Sequence, residues 1–258
     1  MKLAILLAIF LLGLVIRLWG LGDNARLFQD QGWYVTSAIL AREGQIQLSG
    51  ITSSITWLHQ GVVWTYLLVP VVKLSPISGH ILSAILDSLL VPVIFVLVRK
   101  YQSSWAGLFA SLAWAANPWA VANGRLGYHT SVIPLFTGLF LFFTLARRSF
   151  LAGLFLGLLY QSQLLTFIFW PVALWALYKG KLTVSRSLLG FGLGLLPFLL
   201  QGPLQTFGVF VWVAYKSLTG FGGISGMSDA YLSVILLPSI LVLVWIGSKI
   251  KELCLRRS

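Results

Sequence analysis

Leu3–Ile16 reads LAILLAIFLLGLVI, an unbroken apolar run without a charge and without period-two alternation. Strands of a membrane barrel alternate lipid-facing and lumen-facing residues, and this run does not. In a bilayer core a backbone finds no water to bond, so such a segment satisfies its own N–H and C=O groups as an α-helix. Comparable runs recur at Ile81–Val98 and Val234–Ile246. Each approaches the roughly 20 residues that cross a hydrocarbon core. The expectation is an all-α, polytopic integral membrane protein.

Composition points the same way. Of 258 residues, 58% are hydrophobic and 9% charged, with a mean hydropathy of +0.91. A water-soluble domain carries roughly 25% charged residues to cover its surface. The net charge of +12 could suggest nucleic acid, but the basic residues sit in short clusters between apolar runs, as the positive-inside rule expects. Nucleic acid is therefore not an expected partner. A single cysteine, Cys254, excludes an intrachain disulfide and a cysteine-based metal cluster. The opening MKLAILLAIFLLGLVIRLWG has too long an apolar run for a signal-peptide core and no small-x-small cleavage site, so it reads as a retained first helix.

Apolar spans fall at about residues 3–21, 79–98, 104–121, 131–146, 149–166, 167–178, 186–201 and 230–248. The segment 58–76 is apolar but interrupted by Pro70, Lys73 and Pro76, and charge decides its place. If it does not cross, 12 of the 18 Lys and Arg residues fall on one face: Lys2, the pairs Arg99–Lys100 and Arg147–Arg148, Lys179, Lys181 and Arg186, and the tail residues Lys249, Lys251, Arg256 and Arg257. Arg17, Arg26, Arg42, Lys73, Arg125 and Lys216 are left to the outer side and its margins. If 58–76 crosses, the two Arg-containing pairs move outside. The expectation is eight transmembrane helices, with 58–76 an outer juxtamembrane element. Spans 149–166 and 167–178 are short and read as a tight hairpin turning near Gln161–Thr166. The chain reads as one membrane domain, with outer loops at 22–57 and 202–229 and a last helix and cytoplasmic tail at 230–258.

Six acidic residues can be weighed one by one. Glu252 lies in the tail. Asp87 lies mid-span, where charge is costly and often functional; a polar neighbour such as Ser83 or Ser88 could equally hold it. Asp23, Asp30, Glu43 and Asp229 fall outside. Asp30 begins a segment, Gln31 to Arg42, that reads as an amphipathic helix with Trp33 and Tyr34 at the interface. There it can be a working carboxylate or simply an N-cap or first-turn residue. In NPWAVANGRLGYHTSVIP, residues 117–134, Arg125 and His129 stand four apart at the outer end of two helices. Arg offers a fork of donors suited to phosphate and His a titratable donor; an interfacial Arg can also hold any lipid headgroup. His59 and Gln60 open the juxtamembrane element. No glycine phosphate loop, metal-ligand spacing or nucleophilic serine arrangement is present, and the glycines of FGLG suit helix contacts and a flexible loop equally well.

In their order along the chain these features resemble the GT-C glycosyltransferases, which include protein O-mannosyltransferases and the aminoarabinose transferases of lipid A. Members have an arginine at the end of the first helix, an acidic motif and an amphipathic helix, similar to Arg17, FQDQGWY with Asp30, and Tyr34–Leu40. A His-Pro-Pro-like entry to a juxtamembrane helix is similar to His59-Gln60-Gly61. A Ser-Pro-Trp…Ser-Arg pattern is similar to Asn117-Pro118-Trp119 and Gly124-Arg125. The likeness covers about residues 1–200, a GT-C-like module. It departs where the family's Asp-Glu pair has Gln31 second, and where an acidic residue after the arginine is replaced by His129 and Thr130. A divalent cation between two carboxylates is therefore not expected, nor any other cofactor.

The resemblance implies inverting transfer of a sugar from a polyprenyl-phosphate carrier to an acceptor on the extracytoplasmic side of the plasma (inner) membrane. Such a transfer needs one base for the acceptor hydroxyl. The leaving phosphate, with a second pKa of about 6, needs positive charge rather than an acid. Asp30 is the expected base, with Arg125, His129, His59, Arg26 and Gln60 around the donor, and Lys216 and Asp229 as acceptor contacts in 202–229. Most members continue with further helices or a soluble domain, which leaves a partner chain as a candidate to complete the acceptor site. A non-enzymatic flippase or binder of lipid-linked sugars would use the same cleft without needing Asp30. A structural membrane subunit would need no cleft joining Asp30 to Arg125.

Overall fold

A computed structural model of the chain describes residues 2–25, 28–52, 57–203, 205–208 and 211. The described residues are mostly helical. Along the chain they form α1 (Lys2–Leu18), α2 (Leu21–Asn24), α3 (Gln29–Arg42), α4 (Val63–Leu68), α5 (Ser78–Ser88), α6 (Leu90–Tyr101), α7 (Ser104–Ala116) and α8 (Pro118–Gly124). After a short 3-10 turn at His129–Val132 come α9 (Ile133–Leu145) and α10 (Ser149–Ser162). A 3-10 stretch, Leu164–Phe169, then leads to α11 (Trp170–Tyr178), α12 (Val184–Gly194) and α13 (Leu196–Gln201). Among the described residues the only extended pairing is an isolated antiparallel bridge between Thr52 and His59.

The all-α expectation therefore holds. Two continuous helices, Lys2–Asp23 and Ser78–Tyr101, are long and apolar enough to cross a membrane, at 22 and 24 residues. Four shorter apolar helices accompany them: Ser104–Ala116, His129–Leu145, Ser149–Ser162 and Leu164–Tyr178. The expected last span, 230–248, and Lys216, Asp229, Glu252 and Cys254 lie outside the described residues, as does Arg26.

Prolines divide several of the expected spans. The run 104–121 is two helices. Ser103 opens α7 by accepting a hydrogen bond from the Ala106 N–H (3.1 Å). At its end Asn117 is extended, the conformation a following proline favours, and its side chain accepts from the Ala120 N–H (3.0 Å) to start α8. Span 186–201 breaks likewise at Leu195, ahead of a helix with a proline in its first turn. The only helix in segment 58–76 is the six-residue α4. Its Trp64 and Leu68 are buried among Tyr34, Ile133 and Phe136 in the larger apolar core.

A second core joins α1, α6 and α7 through Leu6, Leu90, Ile94 and Trp114. In contact with it through the Ala115 and Trp114 carbonyls, Arg17 and Asp87 are both completely buried and paired at 2.6 Å. Arg17, grouped by sequence with the outer cations, is thus an interior residue. Asp87 is held by Arg17 rather than by Ser83 or Ser88, and Ser88 donates instead to the Ala84 carbonyl (2.7 Å).

The tightest helix contact joins α10 to α12. A Cβ at Gly157 would lie 2.6 Å from the Phe191 carbonyl, and one at Gly194 2.6 Å from the Leu154 carbonyl. At Gly153 and Gly190 it would run into the Ser187 and Phe150 carbonyls. Small residues four apart on both helices let the backbones touch. Of the FGLG glycines, Gly194 is a contact residue and Gly192 faces open space.

Candidate functional site

The start of α3 docks on the segment that follows α8. Phe28 is the N-cap, which puts Asp30 in the first turn rather than at the cap itself. Gln31, buried, donates from Nε2 to the Leu126 carbonyl (3.2 Å). Next to that carbonyl, Gly127 adopts φ +63, and a Cβ there would stand 2.9 Å from His80 Nδ1 and 3.0 Å from the His80 backbone nitrogen. A residue without Cβ is required on both counts. The turn it allows carries Tyr128 to α3, where its hydroxyl donates to Asp30 Oδ2 (3.0 Å). Asp30 itself is solvent-exposed.

His129 is enclosed rather than exposed. Its ring packs on Tyr128 at 4.0 Å and on Tyr34 at 5.5 Å between centroids, and Trp33 meets Tyr34 edge-on at 5.2 Å. Only 3% of His129 is exposed, and neither ring nitrogen has a hydrogen-bond partner. The hydroxyl of Thr130 and the side-chain amide of Asn123 are also buried without partners. Burial pushes the Tyr34 phenol well above its ordinary pKa, so it is a neutral ring.

Arg125 ends α8 as its C-cap. It is half-buried, and its Nη1 donates to the Ile16 carbonyl (3.3 Å), near the end of α1. One of its five N–H groups is thereby used, leaving most of the fork for another acceptor. The end of α1, the end of α8, the Gly127 turn and the start of α3 thus follow one another through these contacts into one corner, with Arg125 on its α1 side and Asp30 on its α3 side. No ion pair joins them among the described residues.

His59 and Gln60 are placed by different contacts. Gly50 and Gln60 pair through a backbone bond of 2.8 Å, and Gln60 donates back to Ile51 (2.9 Å). His59 Nδ1 lies 3.3 Å from Thr52 Oγ1, and the His59 N–H donates to Gln205 Oε1 (3.1 Å). Gly61 then donates to the Gln161 carbonyl (2.7 Å) at the end of α10. That is the expected hairpin turn, where Gln161, Ser162, Gln163 and Thr166 are all buried. His59 and Gln60 are thus held by residues 50–52 and by Gln205, and the next residue, Gly61, ties their segment to the α10–α11 turn.

Two features escaped the reading of the sequence. Tyr128 stood inside the NPWAVANGRLGYHTSVIP motif, but only a fold that returns the motif to α3 makes it a partner of Asp30. The Arg17–Asp87 pair joins residues 70 apart, and neither carries a local signal of the other. Among the described residues no three His, Cys, Asp or Glu side chains gather as a metal would need. What the corner offers chemically is an exposed carboxylate with one oxygen steadied by a phenol, and, three residues before that phenol in the chain, a guanidinium with donors to spare. Compared with protein-family models, with curated proteins and with solved structures, the chain gives no match.

Proposed function

We propose that the chain is a multi-pass protein of the plasma membrane with eight crossings, and that it transfers a sugar from a polyprenyl-phosphate carrier to an acceptor on the extracytoplasmic side. The observation that carries this reading is the Tyr128–Asp30 hydrogen bond, which ties the Arg125-bearing segment to the carboxylate. Asp30 Oδ1 accepts the proton of the acceptor hydroxyl as that oxygen attacks the anomeric carbon. The bond from that carbon to the carrier phosphate breaks, and the departing phosphate takes up its negative charge against Arg125. A single carboxylate and a cation suffice, since a phosphate leaves without an acid. His129, enclosed by Tyr34 and Tyr128, supports the corner by packing, and His59 with Gln60 stands outside the reacting group.

The test uses the full chain in detergent with polyprenyl-phosphate sugars, mannose and aminoarabinose first, and measures released polyprenyl phosphate. Asp30→Asn is expected to retain donor and lose transfer. Release by that variant at the wild-type rate would remove Asp30 as base. Donor binding without release by the wild-type chain would make it a carrier of lipid-linked sugars. A reporter fused after Arg148 is expected on the cytoplasmic face; its appearance outside would overturn the topology and the outward placement of Arg125.

A further inference from the structure

An apolar groove of about 200 Å³ runs between α9, α10, α11 and α12, floored by Phe140, Ala152, Leu156 and Ala173. It opens sideways past Leu174 and Leu188, which line it and are 63% and 62% exposed. Apart from the indole of Trp170, its polar lining residue is Ser187, whose hydroxyl is buried without a hydrogen-bond partner. In an apolar wall such a group is costly unless something bonds to it.

The end of the groove nearest Ser187 is strongly basic. Leu177 and Leu182 line it and flank the turn that carries Lys179 and Lys181. Lys181 Nζ stands 4.4 Å from the Trp175 ring and Lys179 Nζ 5.2 Å from the Tyr178 ring. Ser149 accepts from the Thr183 N–H (2.8 Å), which holds the start of α10, next to exposed Arg148, at the same end. Arg186 precedes Ser187. No acidic residue occurs in the sequence between Asp87 and Asp229, so this end has no acidic neighbour from its own stretch of chain. Aromatic residues beside lysines at the end of an apolar helix mark the level of lipid headgroups.

We infer that the groove binds one anionic phospholipid. The acyl chain lies along the apolar floor, an ester carbonyl accepts from the Ser187 hydroxyl, and the phosphate sits against Lys179, Lys181 and Arg186. A water-filled groove would leave carbon facing water, and a neutral lipid would leave the basic end unmatched. The inference rests on the membrane reading proposed above and is independent of the transfer reaction.

The full chain is placed in nanodiscs of phosphatidylcholine containing phosphatidylglycerol, then stripped and weighed by native mass spectrometry. One phosphatidylglycerol is expected to stay bound after the phosphatidylcholine has left. A basic side chain at an anionic lipid surface contributes about fivefold in affinity, so Lys179→Ala with Lys181→Ala lowers retention roughly 25-fold. Ala173→Phe fills the groove and abolishes retention while leaving the basic residues in place. Ser187→Ala, a substitution that disturbs no packing, weakens it severalfold and serves if Ala173→Phe does not fold. Equal retention of both lipids, or wild-type retention by folded Ala173→Phe or by Ser187→Ala, overturns the site. Recovery of the chain from a soluble fraction without detergent would instead overturn the membrane reading.

Discussion

Arg17 and Asp87 form an ion pair 2.6 Å long in which neither side chain reaches solvent. Its geometry uses the whole guanidinium. Nε donates to Asp87 Oδ2 (2.7 Å), Nη1 to the Gly13 and Ala115 carbonyls (3.0 and 2.9 Å), and Nη2 reaches Asp87 and, at 3.4 Å, the Trp114 carbonyl. Gly124 leaves room for this, because a Cβ there would come within 3.0 Å of Arg17 Nε. One cation thus binds α1, α5 and α7 together against Gly124 at the end of α8.

Breaking a buried pair from one side strands the other charge, at a typical cost of about 3–5 kcal/mol. Arg17→Met and Asp87→Asn are each expected to lower the unfolding temperature in detergent sharply. Removing both charges together, as Arg17→Met with Asp87→Leu, is expected to recover most of the loss. Thermal unfolding of the three variants checks this, and single variants as stable as wild type would show that the pair contributes nothing.

The α10–α12 contact makes a second prediction, because its glycines face backbone rather than side chains. A leucine at Gly153 meets the Ser187 carbonyl, which cannot swing aside. Gly153→Leu is therefore expected to separate the helices and cost at least the roughly 1–3 kcal/mol typical of overpacking. Gly192→Leu, with nothing within 4 Å of its Cβ, is expected to unfold like wild type. The same two measurements side by side decide whether close backbone approach, and not glycine itself, matters here.

How far the sequence foretold this arrangement depends on whether a feature is local. Apolar runs such as Leu3–Ile16 and Ile81–Val98 are local, and both lie in long helices. The turn at Gln161–Thr166 was legible too, because a polar cluster interrupts an apolar stretch there. The division of 104–121 at Asn117-Pro118 was equally written in the residues, but an apolar count overlooks a proline. The α10–α12 contact had its signal in Gly153/Gly157 and Gly190/Gly194, whereas FGLG drew the eye to the wrong spacing. Asp87's partner and Tyr128's task were out of reach. Both depend on which distant helices meet, and no periodicity within a segment encodes that.

His129 supplies a third prediction. A ring that is 3% exposed with both nitrogens unpaired contributes as an aromatic filler. Replacing an unsatisfied buried polar group with an apolar one of similar shape is nearly neutral or stabilising. His129→Phe is expected to unfold at or above the wild-type temperature and to keep donor binding. A large loss of donor binding with the fold intact would return His129 to the phosphate site.

Asp30 and Tyr128 separate chemistry from positioning. A general base contributes about 10²–10⁴-fold, so Asp30→Asn should lower the transfer rate by that order while the donor still binds. Tyr128→Phe keeps the carboxylate and the ring packed on His129 but removes the hydroxyl that donates to Oδ2. The base then survives with a looser orientation. A near-attack geometry lost by a small displacement costs up to about 10²-fold, so a fall in kcat smaller than that of Asp30→Asn is expected, with KM for the donor little changed. If Tyr128→Phe raised KM and left kcat alone, the hydroxyl would be contacting substrate rather than steadying Asp30. If both variants transferred sugar at the wild-type rate with the fold intact, the corner between α1, α3 and α8 would be structural only.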